Sequence, residues 1–314
     1  MMRQNHLSLS QLFRTVCVAV VVALSVKVSS ANASLTLATW NMEWLSDKGD
    51  MIQGQRNAED YLMMQTVVSV LNADLVAFQE VDSLDTLAKV IDPDEYNFFL
   101  SDRAQFYTKS RKSNQFTGWA VRKSLEVIDH ADYEPLGLPT FLSRGHLRYG
   151  SYIEVKRKNR PPLHLLSIHL KSGCFETPVR RNNSCKKLER QIDALNVWIK
   201  TRQKLGQEFV IAGDFNHYMN SSNEWVWESL IKKAGEGLLI NLSEHTRAKC
   251  KARRFNYRTK RWEQVVYDKL IDHVIASPGA LSSTVPALAK QFRYSYHTVA
   301  NYRLSDHCPV YVEL

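Results

Sequence analysis

The chain has 314 residues, of which 44% are hydrophobic, and a formal net charge of +9 at pH 7. This length and apolar content are sufficient to bury a sizeable core, in one large domain or two of ordinary size. The sequence contains no internal repeat, no low-complexity tract and no linker rich in Pro, Gly and Ser. These absences exclude a repeat array and favour one domain over residues 34–314.

The N-terminal segment, residues 1–33, has the features of a secretory signal peptide. A basic, polar start leads into the apolar run TVCVAVVVALSV at Thr15–Val26. Small residues follow, so cleavage is predicted between Ala33 and Ser34. A retained membrane anchor is the alternative, although the apolar run is short for a membrane span and Lys27 follows it closely. The segment therefore predicts a secreted or periplasmic protein.

The chain stays basic after loss of this segment. Its removal takes away three basic residues and no acidic one, which lowers the formal net charge from +9 to +6. A basic exported protein is suited to polyanions such as nucleic acid, an anionic membrane or a cell-wall polymer.

Four cysteines remain beyond residue 33, and an even number in an exported chain indicates disulfide bonds. Cys174 and Cys185 would close the short loop CFETPVRRNNSC, which leaves Cys250 to pair with Cys308. A zinc site is the alternative, but the sequence has no CxxC motif or mixed Cys/His spacing to support it.

Strand and helix patterns are mixed along the rest of the chain. The predicted strands are Leu35–Trp40, Leu75–Phe78, Trp119–Arg122, Ser151–Val155, Leu163–Ile168, Phe209–Ala212, Leu270–Ala276 and Pro309–Glu313. Two predicted helices have apolar faces, formed by Tyr61, Met64, Val68 and Leu71 and by Leu188, Ile192, Leu195 and Ile199. The mixture predicts a layered α/β fold. Because several strands are apolar throughout, both faces of the sheets should be covered.

Polar side chains follow most of the predicted strands. They are Asn41, Glu43, Gln79, Glu80, His169, Lys171, Asp214 and Asn216, with Asp272 and His273 inside a strand and Asp306 and His307 before the last one. Each of them alone could be a turn former or a helix cap. Because five or six strands repeat the pattern, we expect one shared rim, the place where α/β folds commonly bind ligands.

The chemistry of these side chains favours phosphate ester hydrolysis. Oxygen ligands such as Glu80, Asp306 and Asn41 suit Mg²⁺, Mn²⁺ or Ca²⁺. A histidine supported by an aspartate suits the activation of water near neutral pH. Together with amide donors, such a set lowers the barrier mainly through positioning and charge neutralisation.

Six motifs, in this order, resemble those of the endonuclease/exonuclease/phosphatase family: WNMEW, AFQEV, SIHLKSG, IAGDFN, KLIDHV and LSDHCPV. The resemblance extends over about Leu35–Leu314. The family includes pancreatic-type deoxyribonucleases, bacterial secreted nucleases, sphingomyelinases and inositol-phosphate phosphatases. The resemblance implies a four-layered α/β sandwich, in which two packed mixed β-sheets are flanked by helices, and a hydrolase that depends on Mg²⁺, Mn²⁺ or Ca²⁺.

The same resemblance implies catalytic and phosphate-binding roles for individual residues. His307 would be the general base on water and would be oriented by Asp272. His169 would hold the scissile phosphate or protonate the leaving oxygen. Arg148 is similar to the family's phosphate-binding arginine, with Arg144 as the alternative.

The resemblance also implies a set of metal ligands. Glu80 and Asn41 would bind the metal, and Asp306 would be a further ligand or belong to a second site. Asp214 and Asn216 would bind the metal, the nucleophile or the transition-state phosphate. Both would reach it because alternate residues of an extended chain share one side. Asn41 would lie against the substrate phosphate as well.

One basic stretch favours nucleic acid as the substrate. Arg247–Trp262, RAKCKARRFNYRTKRW, has eight Lys and Arg residues and no acidic residue. Basic side chains neutralise phosphates and aromatic ones stack on bases, so Arg253, Arg254 and Tyr257 are predicted to bind DNA and possibly RNA. A solvated hairpin is the alternative. No stable protein partner is predicted.

Other activities and a non-enzymatic role were weighed against an exported endonuclease. A sphingomyelinase-type lipid phosphodiesterase would need an apolar membrane contact. The candidate is EWVWESL, whose helical pattern predicts partial burial of Trp225 and Trp227. An inositol-phosphate phosphatase is a third possibility. A binding protein that has lost catalysis is disfavoured, because the motif residues are all present.

Overall fold

Apolar runs form strands and amphipathic runs form helices in the part of the chain that the computed structural model describes, residues 34–143, 145, 147–176, 182–220, 224–281 and 287–314. The strands are β1 (Thr36–Leu45), β2 (Leu75–Val81), β3 (Tyr96–Leu100), β4 (Phe116–Arg122), β5 (Val127–Asp129), β6 (Ser151–Arg157), β7 (Arg160–His169), β8 (Glu208–Asp214), β9 (Ile240–Asn241), β10 (Cys250–Asn256), β11 (Arg261–Tyr267), β12 (Asp272–Ala276), β13 (Lys290–Gln291) and β14 (Val310–Glu313). The α-helices are α1 (Ala58–Leu71), α2 (Leu84–Leu87), α3 (Asn183–Lys204), α4 (Trp225–Ala234) and α5 (Tyr296–Asn301). The predicted signal peptide and Arg144 lie outside the described residues.

Within the described residues the strands form two six-stranded sheets and a separate two-stranded ribbon. Sheet 1 has the order β13–β14–β1–β2–β4–β3, sheet 2 has the order β5–β6–β7–β8–β12–β9, and the ribbon pairs β10 with β11. The sheets pack face to face through one buried apolar cluster, in which Leu37 and Trp119 of sheet 1 meet Leu165 and Val210 of sheet 2. This cluster is the central core of the molecule.

Helices cover the outer faces of the two sheets. Helix α1 packs on sheet 1, where Met64 belongs to a buried cluster with Trp40 and Phe78. Helices α3 and α4 pack on sheet 2, where Leu188 shares a second cluster with Phe209. Strands buried on both faces explain the continuous apolar runs in the sequence. The predicted four-layered α/β sandwich is confirmed.

The first turn of α1 is hydrogen-bonded to the residue that precedes the LSDHCPV motif. Asn57 Oδ1 accepts a hydrogen bond from the Asp60 N–H at 2.8 Å, and the Asp60 carboxylate accepts one from the Asn57 N–H at 2.9 Å. This capping box satisfies two backbone donors of the helix start. The other oxygen of Asp60 accepts the Arg303 N–H at 2.7 Å, which fixes the chain leading to His307.

All eight predicted strands and both amphipathic helices are present. The bounds of all eight strands differ from the prediction by one to five residues at one end or both. The largest difference is in β1, which continues past Trp40 to Leu45 beside β2 after a register shift. The sequence did not predict β3, β5, β9 and β13, which are the edge strands of the two sheets, or the ribbon strands β10 and β11. Strands β5, β9 and β13 have only two or three residues each, which is too few to show a strand pattern in the sequence.

Two disulfide bonds join Cys174 to Cys185 and Cys250 to Cys308. The predicted pairing is confirmed, and the zinc alternative is wrong. The second bond links the first residue of the ribbon to the residue after His307. As to membrane crossing, no helix in the described residues has the length and apolar character that a span requires.

We expect the second disulfide to stabilise the fold more than the first. Cys250 and Cys308 are 58 residues apart in sequence and Cys174 and Cys185 are 11 apart, so the former restricts the unfolded chain more. The loop-entropy relation gives a loss of about 4 kcal/mol for Cys250→Ser with Cys308→Ser, and about 3 kcal/mol for Cys174→Ser with Cys185→Ser. Urea unfolding of both double variants measures this. The reverse order of stabilities would contradict it.

Candidate active site

The carboxyl ends of two parallel strand pairs meet at one edge of the sandwich. In sheet 1, β1 pairs with β2 and Asn41 lies opposite Gln79, while in sheet 2, β7 pairs with β8 and His169 lies opposite Asp214. Asn41 Nδ2 donates a hydrogen bond to Asp214 Oδ2 at 3.0 Å and so joins the two sheets. A cleft of about 570 Å³ opens at this edge. Its lining includes Glu80, Arg148, His169, Asp214, Asn216, Arg254, Asp272, Asp306 and His307.

His307 and Asp272 form a hydrogen-bonded pair in the cleft. His307 Nδ1 is 2.8 Å from Asp272 Oδ2, and His307 Nε2 lies 4.0 Å from Asp214 Oδ2 and 3.9 Å from Asp306 Oδ1. Burial disfavours the charged imidazole, but the surrounding carboxylates, Asp272 first, outweigh burial and hold the pKa of His307 well above its usual value. The carboxylates therefore favour the protonated ring, and its second nitrogen is directed at acidic side chains.

The backbone of His307 is held at both of its polar groups. Its carbonyl accepts hydrogen bonds from Trp40 Nε1 at 3.2 Å and from the Tyr294 hydroxyl at 2.8 Å. Its N–H donates to Ser305 Oγ at 3.0 Å. The next residue, Cys308, is fixed by its disulfide bond to the ribbon. The imidazole thus stands on a rigid support, as catalytic side chains require.

Asp214 and Asn216 meet through a turn and not through strand alternation, which corrects the expectation from sequence. Strand β8 ends at Asp214, and Asn216 has a φ of 51°. The Asn216 N–H donates to Asp214 Oδ1 at 2.7 Å, and Asn216 Nδ2 donates to Asp214 Oδ2 at 3.0 Å. Gly213 permits β8 to lie close to β7 just before this turn, because a Cβ there would lie 2.0 Å from the Ile168 carbonyl oxygen.

His169 and Arg148 line the cleft beside the same carboxylates. His169 Nε2 is 3.5 Å from Asp214 Oδ2 and 3.7 Å from Glu80 Oε1. Burial, with the positive charge of Arg148 second, holds the pKa of His169 well below its usual value, so the ring is neutral at pH 7. Burial lowers the pKa of Arg148, while Glu80 and Asp214 favour its charge. The pair offers a neutral donor beside a cation.

The carboxylates of the cleft fit a divalent cation. Burial raises the pKa of Asp306 and raises that of Asp214 to about 7. Charged carboxylates crowded in a buried site are stabilised when a cation lies between them. Donor atoms of Asp214, Asp272 and His307 all lie within 4.8 Å of one another, and Glu80 lines the same cleft. These acidic and histidine groups could bind a metal.

Glu43 and Arg56 support the site. The sequence placed Glu43 on the expected rim without a role, and it did not indicate Arg56. Glu43 Oε2 accepts the Asp306 N–H at 3.0 Å. Arg56 donates to the carbonyls of Met42 at 2.8 Å, Glu43 at 2.9 Å and Leu304 at 2.9 Å, which clamps the first and last motifs together. Glu43 belongs to the first motif, and its position on the rim follows from the sequence. Arg56 lies outside every motif and carries no sequence signal.

The three ribbon residues that were predicted to bind substrate lie in different places: Arg253 and Arg254 on opposite faces, and Tyr257 in the turn. Arg254 lines the cleft. Arg253, the neighbouring residue in the strand, points to the opposite face, where its guanidinium lies 5.9 Å from the Trp262 ring centroid. Tyr257 is exposed in the turn, and its hydroxyl contacts the Gln53 amide. Only Arg254 of these three residues reaches the cleft directly.

Solved structures of similar fold are hydrolases of several kinds. An endonuclease/exonuclease/phosphatase from Bacteroides vulgatus has a TM-score of 0.59 and 15% identity, over 89% of this chain and 98% of that chain. TDP2 of D. rerio, complexed with a single-strand DNA product, has a TM-score of 0.54 and 15% identity, over 90% and 99%. A mannosyl-6-phosphatase of Bacteroides thetaiotaomicron has a TM-score of 0.55 and 17% identity, over 89% and 99%. At these identities the likeness establishes the fold.

A search of curated proteins gave no match. A family model, described as the endonuclease/exonuclease/phosphatase family, matches residues 38–307. This match includes the strand-end motifs from the first one, which begins at Trp40, up to His307, and it agrees with the two-sheet fold. The chain therefore belongs to the endonuclease/exonuclease/phosphatase family, whose members are hydrolases that act on phosphate esters.

Proposed function

We propose that the protein is an exported, divalent-metal-dependent phosphodiesterase that cuts nucleic acid internally, with DNA as the main substrate. The observation that carries this proposal is the orientation of His307. Its Nδ1 is held by Asp272 at 2.8 Å, and its Nε2 faces the carboxylates of the cleft. A base with a fixed orientation beside oxygen ligands suits the attack of water on a phosphate.

Once a bound cation offsets the charge of the surrounding carboxylates, neutral His307 would take the proton of the attacking water on Nε2. Asp272 would keep the Nδ1–H in place and stabilise the imidazolium that forms. Asp214 accepts hydrogen bonds from Asn41 and Asn216 and is held 4.0 Å from His307 Nε2. From this position its carboxylate would orient the water.

The phosphate and the metal would be held by the remaining side chains. Arg148 would pair with a phosphate oxygen, and neutral His169 would hold the scissile phosphate or give a proton to the leaving oxygen. The Mg²⁺ ion, or Mn²⁺ or Ca²⁺ in its place, would be bound by Glu80, Asp306 and Asp214. Asn41, whose Nδ2 donates to Glu80 and Asp214 in this structure, would join them through Oδ1 after rotation of its amide. When bound, such an ion neutralises the charge that develops on the phosphate.

Basic residues around the cleft support a nucleic acid substrate. Arg254 of the ribbon and Lys269, which follows it, line the cleft together with Arg148. A nucleic acid bound in the cleft would place the phosphates next to the scissile one beside these cations. The D. rerio structure with a DNA product, which has the same fold, adds support for this substrate class.

We expect Arg254→Ala to weaken DNA binding more than Arg253→Ala, because only Arg254 lines the cleft. Loss of one phosphate contact should lower the slope of log K against log salt concentration by about 1 for Arg254→Ala. Binding of a DNA duplex at several salt concentrations, measured by fluorescence anisotropy, checks this. Equal slopes for both variants would mean that the DNA does not contact Arg254 in the cleft.

A sphingomyelinase-type lipid phosphodiesterase is the second candidate, because of one exposed apolar turn. Phe141 and Leu142 are 102% and 90% exposed, at the tip of a turn that Thr140 and Ser143 close through backbone hydrogen bonds of 2.7 and 3.2 Å. Adjacent apolar side chains with this exposure suit contact with a membrane. Trp225 and Trp227, the residues considered from sequence, are partly buried as predicted.

Covalently closed plasmid, incubated with the purified protein in Mg²⁺ and in EDTA, tests the proposal directly. Sphingomyelin vesicles are incubated in parallel. Nicking or linearisation of the plasmid that EDTA abolishes supports a metal-dependent endonuclease. Intact plasmid with released phosphocholine supports the lipid candidate, and Phe141→Ser with Leu142→Ser should then abolish vesicle hydrolysis.

Export is the remaining part of the proposal, and the two disulfides support an oxidising compartment. We expect the mature protein to begin at Ser34. Intact-mass measurement of the protein recovered from the periplasm or medium of an expressing bacterium checks this. Recovery of the uncleaved chain in the membrane fraction would favour the retained anchor.

A further inference from the structure

A second cluster of metal-binding side chains lies outside the cleft, on sheet 2. Glu154 of β6 is directly opposite His164 of β7, and the pair shares one face of the sheet. His130 follows the edge strand β5, and its N–H donates to the Tyr152 carbonyl at 3.1 Å. Three adjacent strands therefore bring two imidazoles and one carboxylate to the same place.

The donor atoms of these three residues have the spacing of a metal site. His130 Nε2 is 3.1 Å from Glu154 Oε2, and His164 Nδ1 is 3.8 Å from the same oxygen. All three ligand atoms lie within 4.8 Å of one another. Zn²⁺ binds nitrogen and oxygen ligands at about 2.0–2.2 Å, which places neighbouring ligand atoms roughly 3.3 Å apart in a tetrahedral site. A small inward shift would close the triad on an ion.

Neighbouring residues hold both imidazoles in the orientation that binding needs. The His130 ring stacks on Tyr152, with centroids 4.4 Å apart and planes 11° apart. The Tyr152 hydroxyl is 2.6 Å from His164 Nδ1, and its oxygen also accepts a hydrogen bond from Arg202. Since arginine only donates, the phenol proton points to His164 Nδ1, which is then the unprotonated nitrogen. In this structure the lone pair of that nitrogen accepts the phenol proton. A bound ion would replace this hydrogen bond, and the hydroxyl would turn away from the ring.

The charge state of the cluster also suits a cation. The side chains of His164 and Glu154 are 5% and 15% exposed. A carboxylate so shielded from water gains from a cation close to it.

We propose that His130, Glu154 and His164 bind one divalent transition-metal ion of the Zn²⁺ type, with the Tyr152 oxygen or a water as the fourth ligand. Two histidines and one glutamate are a ligand set that Zn²⁺ accepts, whereas Mg²⁺ and Ca²⁺ prefer oxygen ligands alone. The ion would fasten the three-residue edge strand β5 to β6 and β7. It would be a structural site, separate from hydrolysis in the cleft.

The test uses the full chain with Glu80→Gln and Asp306→Asn, so that the cleft does not compete for the ion. This protein is stripped with EDTA and titrated with Zn²⁺ by calorimetry, and with Co²⁺ by visible absorption, which reports tetrahedral geometry. We expect one equivalent of Zn²⁺ to bind, with a rise in the unfolding temperature. His130→Ala and, separately, Glu154→Gln should weaken this binding by at least about 100-fold.

His297→Ala is the matched control, because it removes an exposed histidine on α5 and leaves the cluster intact. It should bind Zn²⁺ as its parent does. The proposal is overturned if the parent shows no saturable binding below about 100 μM Zn²⁺, which corresponds to roughly −5.5 kcal/mol. Undiminished binding in both His130→Ala and Glu154→Gln overturns it as well. In either case the cluster is an ion pair with a tyrosine hydrogen bond.

Discussion

Replacing His307 by alanine should lower the kcat of plasmid cleavage by roughly 10²–10⁴-fold, the usual contribution of a general base. In the proposed reaction the imidazole accepts the proton of the water, and its Nδ1 is held 2.8 Å from Asp272 Oδ2. DNA binding should remain close to that of the parent, because the phosphate contacts are assigned to other residues. Single-turnover cleavage and anisotropy binding, measured side by side, separate the two quantities.

His297→Ala is the control for this variant, since it removes an exposed imidazole from the nearby helix α5. Its cleavage rate should match that of the parent. Asp272→Asn should lower kcat less than His307→Ala, because the base remains and only its orientation and charge support are weakened. Full activity in His307→Ala would make the assignment of the base wrong.

The placement of the cleft residues could be predicted because their positions follow from simple strand geometry. His169 and Asp214 each end an apolar strand, and Asn41 is the last residue of β1 before its register shift against β2. Parallel pairing brings such positions to one edge. The layered fold follows from the same apolar runs, which require cover on both faces. These features could be predicted because each strand is recognised from its own short stretch of sequence.

The supporting contacts could not be predicted, because they join segments far apart in sequence. Arg56 reaches Leu304 across 248 positions, and nothing in its local sequence distinguishes it from a surface arginine. Asp214 and Asn216 meet because the left-handed conformation of Asn216 folds its N–H back, a backbone feature that the residue spacing did not reveal. The two faces of the ribbon likewise depend on the pairing of β10 with β11, which the sequence did not predict.

Glu80 stands at a point where local backbone preference and site geometry conflict. Its φ is 60°, a left-handed conformation that costs a non-glycine residue of order 1–3 kcal/mol. Its carboxylate accepts hydrogen bonds from Asn41 Nδ2 at 3.2 Å and from the Trp44 N–H at 3.1 Å. These bonds fix both oxygens in the cleft. Backbone strain retained at such a residue is expected where the side chain serves the site.

Glu80→Gln should therefore lower cleavage at least about 100-fold at a fixed Mg²⁺ concentration, because it removes a charged ligand while keeping the side-chain shape. Added Mg²⁺ should recover part of the activity. Glu80→Gly should be equally inactive and yet at least as stable as Glu80→Gln, since glycine adopts a positive φ without strain. Cleavage rates over a Mg²⁺ series and urea unfolding of both variants measure these effects.

Glu236→Gln, at an exposed loop position, is the control for loss of one carboxylate. Parent-like Mg²⁺ dependence in Glu80→Gln would remove Glu80 from the metal ligands and leave Asp306 and Asp214 to bind the ion. Lower stability in Glu80→Gly than in Glu80→Gln would mean that the hydrogen bonds of the side chain outweigh the backbone strain. The two variants together thus separate what Glu80 does for the metal from what it does for the fold.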